Sequence, residues 1–438
     1  MTDNLQFITQ PGGSLNGNVR VPGDKSISHR SIMLGSLADG ITEVSGFLNG
    51  DDCLATLNAF RTMGVEIEEL AEGELKIHGV GLHGLKAPIG ELDMGNSGTS
   101  MRLMSGLMAG QDFAVTLTGD ASLSKRPMRR VTVPLKAMGA SIETTEGGTP
   151  PINIAADNKL QGIHYDLPVA SAQVKSCVLL AGLYAEGQTS VTEPAPTRDH
   201  TERMLRGFGY DVTTDANRMS LQGGGSLKGI NIDVPADISS AAFYMVGASI
   251  AENSDVVLEH VGMNPTRTGV IDILRLMGAN IEVMNEREIG GEPVADIRIQ
   301  SAQLKGINIP EELVPLAIDE FPVIFVAAAC AEGKTVLTGA EELRVKESDR
   351  IQVMADGLVA CGIDAQATPD GIIIQGGQLT GGEVHSHHDH RISMSFVMAG
   401  LRATGPITIN DCANVNTSFP NFVKIANTAG IHVTSNET

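Results

Sequence analysis

Two cations and two hydroxyl groups lie within six residues near the start of the chain. Residues 21–30 read VPGDKSISHR, so Lys25, Ser26, Ser28 and Arg30 follow a Pro-Gly break and precede an apolar run. Pro and Gly end a strand, and the following residues open a helix whose free N–H groups and positive dipole end favour an anion. Lysine, arginine and serine suit phosphate or carboxylate oxygens. The pattern predicts an anion site, although an N-cap followed by surface cations is the simpler alternative for any single Lys-Ser pair.

Three more polar stretches in the first half also precede apolar runs. They are GNSGTS at residues 95–100, GDASLSKRPMRR at 119–130 and SAQVKS at 171–176. The glycine-rich turn is a weak signal alone, since such turns often only cap a helix. The second stretch concentrates four basic residues in six positions, which indicates either an anion site or a solvated face. In the third, the Ser and Gln are placed for hydrogen bonding at a helix start, with simple capping as the alternative.

The second half supplies titratable groups. Asp319 and Glu320 stand immediately before a strongly apolar run. Capping of the helix explains one of these carboxylates and leaves the other as a candidate general base. Residues 344–350 read RVKESDR and alternate cations with anions, a pattern that an ordinary salt-bridged helix start would also produce.

Four histidines and an aspartate occur in residues 385–391, which read HSHHDHR. The spacing permits a zinc site. No cysteine pair or second histidine group accompanies it elsewhere, and a His-Arg tip that presents Arg391 to an anion fits the same residues. Both interpretations remain open from the spacing.

A repeat positions these stretches. An apolar helix end, a glycine and a strand-like segment recur six times at intervals near 70 residues, at Gly64, Gly139, Gly209, Gly278, Gly362 and Gly430. The physical interpretation is a helix ended by a left-handed glycine and followed by a strand. Six copies of one α/β unit follow, with three copies per domain as the natural partition.

Composition excludes several classes of protein. The 438 residues are too many for one ordinary core, and 42% hydrophobic against 19% charged residues indicates a globular chain. A net charge of -21 argues against nucleic acid or anionic membranes as partners, so an anionic substrate would need a local basic site. No secretory signal or apolar run of ~20 residues is visible. The five scattered cysteines are expected to be reduced thiols of a cytoplasmic protein.

The ordered motifs resemble the 5-enolpyruvylshikimate-3-phosphate synthase family over essentially the whole chain, in the branch that has GDKSISHR and SAQVKS. The motifs that carry the resemblance are PGDKSISHR, GNSGTSMRL, GDASLSKRPM, SAQVKS, RDHTERM, AIDEFPV, RVKESDR, HDHRISM and TSFPNF. The resemblance implies an α/β fold of two similar domains, each of three βαβαββ units. Residues 21–237 would form one domain and residues 1–20 plus 238–438 the other, with the active site in the cleft between them.

The family's activity is enolpyruvyl transfer from phosphoenolpyruvate to the 5-hydroxyl of shikimate 3-phosphate, with release of phosphate. This step of the shikimate pathway serves chorismate and aromatic amino-acid biosynthesis. It proceeds by addition and elimination through a tetrahedral intermediate and implies no metal or organic cofactor. The resemblance further implies a monomeric cytoplasmic transferase that glyphosate inhibits, and it favours a His-rich loop that presents Arg391.

The resemblance also assigns residues. Asp319 would be the general base and Glu347 the proton donor, with Lys25 shared by both substrates. The residues implied for shikimate 3-phosphate are Lys25, Ser26, Arg30, Ser171, Ala172, Gln173, Arg198, Asp319 and Lys346. Those implied for phosphoenolpyruvate are Lys25, Asn96, Gly98, Arg126, Gln173, Arg350 and Arg391.

One departure and two alternatives accompany the assignment. Family members often carry Lys just before TSFP, where this chain has Asn414, Val415 and Asn416 before Thr417. The related enolpyruvyl transferase acting on UDP-N-acetylglucosamine shares the fold but has a reactive Cys before its RP motif, and residues 119–130 contain none. A non-catalytic anion-binding protein of the same fold is the other alternative, against which the joint presence of Asp319 and Glu347 speaks.

Overall fold

A computed structural model describes residues 5–437 of the chain. These residues form twelve α-helices: α1 (Lys25–Leu37), α2 (Asp51–Thr62), α3 (Gly98–Ala109), α4 (Arg129–Ala137), α5 (Ala172–Gly182), α6 (His200–Gly207), α7 (Ile238–Ile250), α8 (Gly269–Leu276), α9 (Phe321–Cys330), α10 (Arg350–Ala360), α11 (His390–Ala399) and α12 (Phe422–Ala429). The strands of the same residues are, in the first half, β1 (Leu5–Gly13), β2 (Asn16–Val19), β3 (Ala38–Ser45), β4 (Glu66–Ala71), β5 (Glu74–Val80), β6 (Leu92–Asp93), β7 (Val115–Thr118), β8 (Ile142–Glu143), β9 (Ile152–Ile154), β10 (His164–Asp166), β11 (Gln188–Thr192), β12 (Val212–Asp215) and β13 (Arg218–Gln222). The remaining strands are β14 (Leu227–Lys228), β15 (Asn231–Asp233), β16 (Asp255–Gly262), β17 (Asn280–Ile289), β18 (Glu292–Gln300), β19 (Lys334–Leu337), β20 (Asp364–Thr368), β21 (Gly371–Gln375), β22 (Gly382–His385), β23 (Ile407–Asn410) and β24 (Ile431–Glu437).

The chain divides into two compact units. Unit A consists of Gly23–Val234 with the short segment Ile289–Gly291. Unit B consists of the chain up to Pro22, then Pro235–Glu288, and then the chain from Glu292 onward. Each unit has its own hydrophobic core.

Each unit contains three small sheets of closely similar topology. The orders in unit A are β14-β3-β5-β4 with β15 also beside β3, β6-β7-β9-β8 and β10-β11-β13-β12; those in unit B are β17-β18-β16-β2, β19-β21-β20 and β22-β23-β1-β24. One parallel pairing followed by two antiparallel pairings recurs, as in β6-β7, β7-β9 and β8-β9. In the three-stranded sheet the parallel edge is reduced to isolated bridges such as Asn308 with Val336. The chain order βαβαββ, seen in β6-α3-β7-α4-β8-β9, confirms the predicted fold class.

Three repeats take a strand from a distant part of the chain. In unit A, β15 pairs in parallel with β3, so that the end of the third repeat provides an edge strand for the first. In unit B, β1 pairs with β23 and β24, while β2 pairs in parallel with β16. The N-terminal segment therefore completes two repeats of a unit formed mostly by the second half of the chain.

The helices are of two kinds. Helices α1, α3, α5, α7, α9 and α11 are buried over most of their length. In α7 all thirteen residues are buried, as expected for a helix that is apolar all round. The other six helices bury one face and expose the opposite one, as in α4 and α12.

The six repeat glycines all have a positive φ, from 82° at Gly209 to 107° at Gly430. Each follows one of the half-buried helices and precedes a strand. The left-handed conformation costs glycine little because it has no Cβ, which is why this residue type ends each helix. The prediction of a helix, a left-handed glycine and a strand is confirmed at all six positions.

All five cysteines are free, and four of them are buried. Burial raises the pKa of the Cys361 thiol to about 11. These observations confirm the prediction of reduced thiols packed in the core, with Cys330 half-buried. No helix within residues 5–437 is long and apolar enough to cross a membrane.

Candidate active site

The residues that the sequence singled out lie at or just before the starts of helices. In unit A they precede or occupy the first turns of α1, α3, α4, α5 and α6, and in unit B those of α9, α10 and α11. Backbone N–H groups without intrahelical partners point out of such ends, and the helix dipole is positive there. The repeat therefore provides helix ends suited to anions, and the side chains described below lie around them.

The first turn of α1 presents a lysine held by an acid. Asp24 caps the helix by accepting a hydrogen bond from the Ile27 amide at 2.8 Å. The Lys25 ammonium pairs with the buried Asp52 of α2. The Lys25 side chain keeps 21% of its surface exposed, so an anion at this helix end can reach it.

Arg30 lies one turn further along α1 and is buried. Its Nε donates to Thr201 Oγ1 at 2.7 Å and its Nη2 to Ser176 Oγ at 3.0 Å. Its Nη1 donates to the Ser26 carbonyl at 2.9 Å. The side chain thus connects α1 with α5 and α6, in addition to lying at the predicted shikimate site.

His29 begins a buried chain of hydroxyl groups. Its Nδ1 lies 2.9 Å from Thr56 Oγ1, which in turn lies 2.6 Å from Ser100 Oγ. Ser100 donates to Ser97, whose side chain caps α3. Burial, and next the charges of Lys25 and Arg30, hold the pKa of His29 well below its usual 6.5. The imidazole is therefore neutral and connects the beginnings of α1 and α3.

The start of α3 is surrounded by guanidinium groups. A Cβ placed on Gly98 would lie 2.8 Å from Arg102 Nη1 and 3.1 Å from Arg126 Nη1. Arg126 donates to Asn96 Oδ1 at 2.8 Å, and Arg102 donates to Gln173 Oε1 at 2.7 Å. The structure therefore brings together four residues predicted for phosphoenolpyruvate, Asn96, Gly98, Arg126 and Gln173.

Arg102 is a neighbour that the sequence reasoning missed. It stands inside the helical run after the glycine-rich turn, where its charge resembles that of any polar helix residue. Its position four residues after Gly98 could have indicated that the two residues lie together, because residues four apart share a helix face.

In unit B, Arg350 is the centre of a cluster of carboxylates. Its side chain is 1% exposed, yet its three nitrogens reach Asp389 at 2.9 Å, Asp319 at 3.2 Å and Glu347 at 2.6 Å. Burial alone would lower the pKa of Arg350, but Asp389, Glu347 and Asp319 outweigh it and raise the pKa. Lys346 Nζ lies 3.7 Å from Asp319. The two predicted proton-transfer carboxylates are therefore joined by one guanidinium.

The expectation that Asp319 or Glu320 caps the following helix is wrong. Glu320 occupies the N-cap position of α9 without a side-chain capping bond. Its buried carboxylate instead accepts a hydrogen bond from Ser239 Oγ, while Asp319 faces Arg350 and Lys346. The partner of the Glu320 carboxylate is therefore a hydroxyl group 81 residues away in the chain and not the adjacent helix end.

The histidine-rich loop does not gather its side chains as a metal site would. Within residues 5–437, the one group of three or more potential metal ligands that lie close together is Glu66, Glu68 and His78 on β4 and β5. Asp389, which the zinc interpretation would have used, caps α11 through the Arg391 amide and pairs with Arg350. These contacts favour the alternative in which the loop presents Arg391.

Arg391 is the second residue of α11, and its half-buried guanidinium has no ion pair among the described residues. In the segment just before TSFP, where family members often carry Lys, Asn414 donates to the His388 carbonyl at 2.6 Å. Asn414 thereby supports the backbone of the histidine-rich loop.

Comparisons with known proteins agree with this geometry. Residues 9–425 match the family model described as EPSP synthase (3-phosphoshikimate 1-carboxyvinyltransferase). A 3-phosphoshikimate 1-carboxyvinyltransferase of Methylococcus capsulatus is 70% identical, with 98% of each chain covered. One of Hydrogenovibrio crunogenus is 67% identical over the whole of both chains.

A solved structure shows the same fold. EPSP synthase from Acinetobacter baumannii superimposes with a TM-score of 0.89 at 64% identity, covering 99% of this chain and 100% of that chain. The resemblance seen in the sequence motifs is thereby confirmed. The chain belongs to the EPSP synthase (3-phosphoshikimate 1-carboxyvinyltransferase) family.

Proposed function

We propose that the protein is a 3-phosphoshikimate 1-carboxyvinyltransferase. It transfers the enolpyruvyl group of phosphoenolpyruvate to the 5-hydroxyl of shikimate 3-phosphate and releases phosphate. The observation that carries the proposal is the pair of carboxylates, Asp319 and Glu347, held on the buried Arg350 in a chain of this family.

The reaction needs one proton removed and one added. Asp319 takes the proton of the 5-hydroxyl group while the hydroxyl oxygen attacks C2 of phosphoenolpyruvate. Glu347 gives a proton to the C3 methylene. The resulting tetrahedral intermediate then loses phosphate and a methyl proton, which regenerates the enol double bond. Arg350 orients both carboxylates and, when phosphoenolpyruvate arrives, offers the same guanidinium to the substrate's negative charge.

The anions are held by the helix ends and by cations near them. Shikimate 3-phosphate is bound by the starts of α1 and α5, through Lys25, Ser26, Arg30, Ser171, Ala172 and Gln173, together with Arg198, Lys346 and Asp319. Phosphoenolpyruvate is bound by the start of α3 and by cations, through Lys25, Asn96, Gly98, Arg126, Gln173, Arg350 and Arg391. Two features support these assignments. Arg391 has no ion pair among the described residues, and Lys25 has an exposed fraction of 21%.

Further features complete the proposal. The two three-repeat domains are residues 21–237 and residues 1–20 plus 238–438. The enzyme is a cytoplasmic monomer that acts on small molecules and not on nucleic acid, in keeping with its net charge of -21. Glyphosate, an anion, competes with phosphoenolpyruvate beside Gly98.

Phosphate release is the direct test of the activity. Phosphoenolpyruvate is supplied with either shikimate 3-phosphate or UDP-N-acetylglucosamine, and release is expected with the first acceptor alone. Release with the UDP-sugar alone would establish the related transferase, and no release with either would support a non-catalytic protein.

Two variants test the proton-transfer roles. Asp319→Asn and Glu347→Gln each remove a group that contributes roughly 10²–10⁴-fold to turnover, and kcat should fall by that order. The matched control is Asp364→Asn, which changes an exposed carboxylate on β20 in the same unit. A rise in KM with unchanged kcat would reassign either residue to substrate positioning.

A further inference from the structure

The segment that carries Arg198 has no regular structure of its own. It connects β11, which ends at Thr192, with α6, which begins at His200. Arg198 is half-buried within it. The position of this guanidinium, which the proposed function assigns to shikimate 3-phosphate, therefore depends on what holds the segment.

Lys175 of α5 supplies three contacts to this segment. Its Nζ lies 3.1 Å from Glu193 Oε2, at the start of the segment, and 2.9 Å from Glu202 Oε1, in the first turn of α6 just after it. It also donates to the Thr197 carbonyl at 3.4 Å, one residue before Arg198. Both ends and the middle of the segment thus converge on a single ammonium group.

The contacts are removed from water. The exposed fractions of the Lys175, Glu193 and Glu202 side chains are 1%, 8% and 2%. A buried charge without its partner is costly, so these groups cannot separate without a large free-energy penalty. The Thr197 hydroxyl adds a hydrogen bond of 2.6 Å to Glu193, which closes the segment on itself.

Lysine is the residue type that this arrangement requires. An ammonium group concentrates its charge and its donors on one atom, and here two carboxylates and the Thr197 carbonyl lie within 3.4 Å of that atom. A guanidinium spreads its donors over a planar fork and would not place three of them at one point. Lys175 follows Gln173 by two residues, so the same helix end carries the proposed shikimate contacts and the group that holds Arg198.

We propose that Lys175 is a positioning residue that sets Arg198 relative to the start of α5 for binding of the shikimate phosphate. The inference rests on the proposed function and adds a residue that does not itself touch substrate. It predicts that loss of Lys175 weakens binding of shikimate 3-phosphate in particular.

The test uses a variant in which the buried charges disappear together. Lys175→Met alone would leave two buried carboxylates facing each other, so it is combined with Glu193→Gln and Glu202→Gln. In this neutral triple variant KM for shikimate 3-phosphate should rise on the order of tenfold or more, since a charged hydrogen bond is lost or misplaced. KM for phosphoenolpyruvate should stay within about twofold. Equal rises in both constants, or none, would overturn the proposal.

A double-mutant cycle with Arg198→Ala identifies the route of the effect. If Lys175 acts through Arg198, the neutral triple variant adds no further rise in KM once Arg198 is alanine. Additive rises would show that Lys175 acts elsewhere and would overturn the proposal. Lys76→Met is the matched control, because Lys76 pairs with Glu68 at 3.8 Å on the surface of the same unit and should leave both KM values unchanged.

A measurement without substrate separates this inference from the proposed function. Amide hydrogen exchange of Ala195, Thr197, Arg198 and Asp199 should be faster in the neutral triple variant than in the wild-type chain, while exchange in β3 and β5 stays the same. Unchanged exchange at these four residues would overturn the positioning role even in an active enzyme. If the wild-type chain releases no phosphate, the proposed function fails while the exchange result still decides whether Lys175 holds the segment.

Discussion

Replacement of Arg350 by methionine should destabilise unit B, mainly because it leaves the Asp389 carboxylate buried without its cation. Glu347 is 24% exposed and can turn toward water, and Asp319, 16% exposed, keeps Lys346 at 3.7 Å. Asp389 is fully buried, and its remaining donors are the Ser348 hydroxyl and a backbone amide. Removing one partner of a buried ion pair costs ~3–5 kcal/mol. Because two of the three carboxylates find water or another cation, the lower end, about 3 kcal/mol, is expected.

Urea unfolding at about pH 7 provides the assay. In Arg350→Met the Asp389 carboxylate stays in the core without its guanidinium, and this unpaired buried charge is what should destabilise the fold. Asp389→Asn in the same background should recover part of the loss at about pH 7.

The control replaces an arginine that also has a carboxylate partner. Arg298 pairs with Asp255 at 2.7 Å, with exposed fractions of 40% and 41%. Solvent screens such a pair, so Arg298→Met should change the free energy of unfolding far less than Arg350→Met. Equal effects of the two substitutions, or no recovery when Asp389→Asn is added to Arg350→Met, would refute the reasoning.

Two further predictions concern unit A. Gly98→Ala places a methyl group against Arg102 and Arg126, at 2.8 and 3.1 Å from their nearest nitrogens. Because one methyl group discriminates ligands by roughly tenfold or more, the inhibition constant of glyphosate should rise by that factor, and by more than KM for phosphoenolpyruvate. Equal changes in the two constants would contradict a place for Gly98 in the pocket. His29→Asn removes a buried imidazole whose pKa is held well below 6.5 by burial and by two neighbouring cations. The unfolded chain binds a proton there below about pH 6.5 while the folded chain does not, so wild-type stability falls as the pH drops from that value. The variant should lose less stability over that interval in urea titrations at about pH 7 and pH 5, and parallel slopes would count against a neutral His29.

The sequence predicted local features because their causes are local. A left-handed glycine after a helix is dictated by the backbone at that residue, and the six predicted positions all adopt it. Helix starts such as that of α1, where Asp24 caps the chain after Pro22 and Gly23, depend on residues three apart. The family resemblance was available for the same reason, since its motifs are short and continuous.

Features that depend on distant residues could not be predicted in this way. The pairing of β15 with β3 places Asn231 opposite Glu43, and the local sequence of neither strand indicates which strand it pairs with. Glu320 looked like a cap because the apolar helix follows it directly, whereas its actual partner is Ser239. Lys175 stands near the start of an apolar helix, and its two carboxylate partners lie 18 and 27 residues further along the chain.

The two units differ in the residues at the starts of their buried helices. In unit A two of the three capping residues are serines, Ser97 and Ser171, and the third is Asp24. At the corresponding starts of α9 and α11, unit B has acidic residues, Glu320 and Asp389. A neutral cap leaves the positive helix end available to an incoming anion, whereas an acidic residue neutralises it and requires a cation such as Arg350 nearby. Two of the three buried helices of unit A thus have a neutral cap, while α1, capped by Asp24, has Lys25 in its first turn. In unit B the acidic residue at the start of α11 lies against Arg350, so the two units differ in a few residues at the starts of their buried helices.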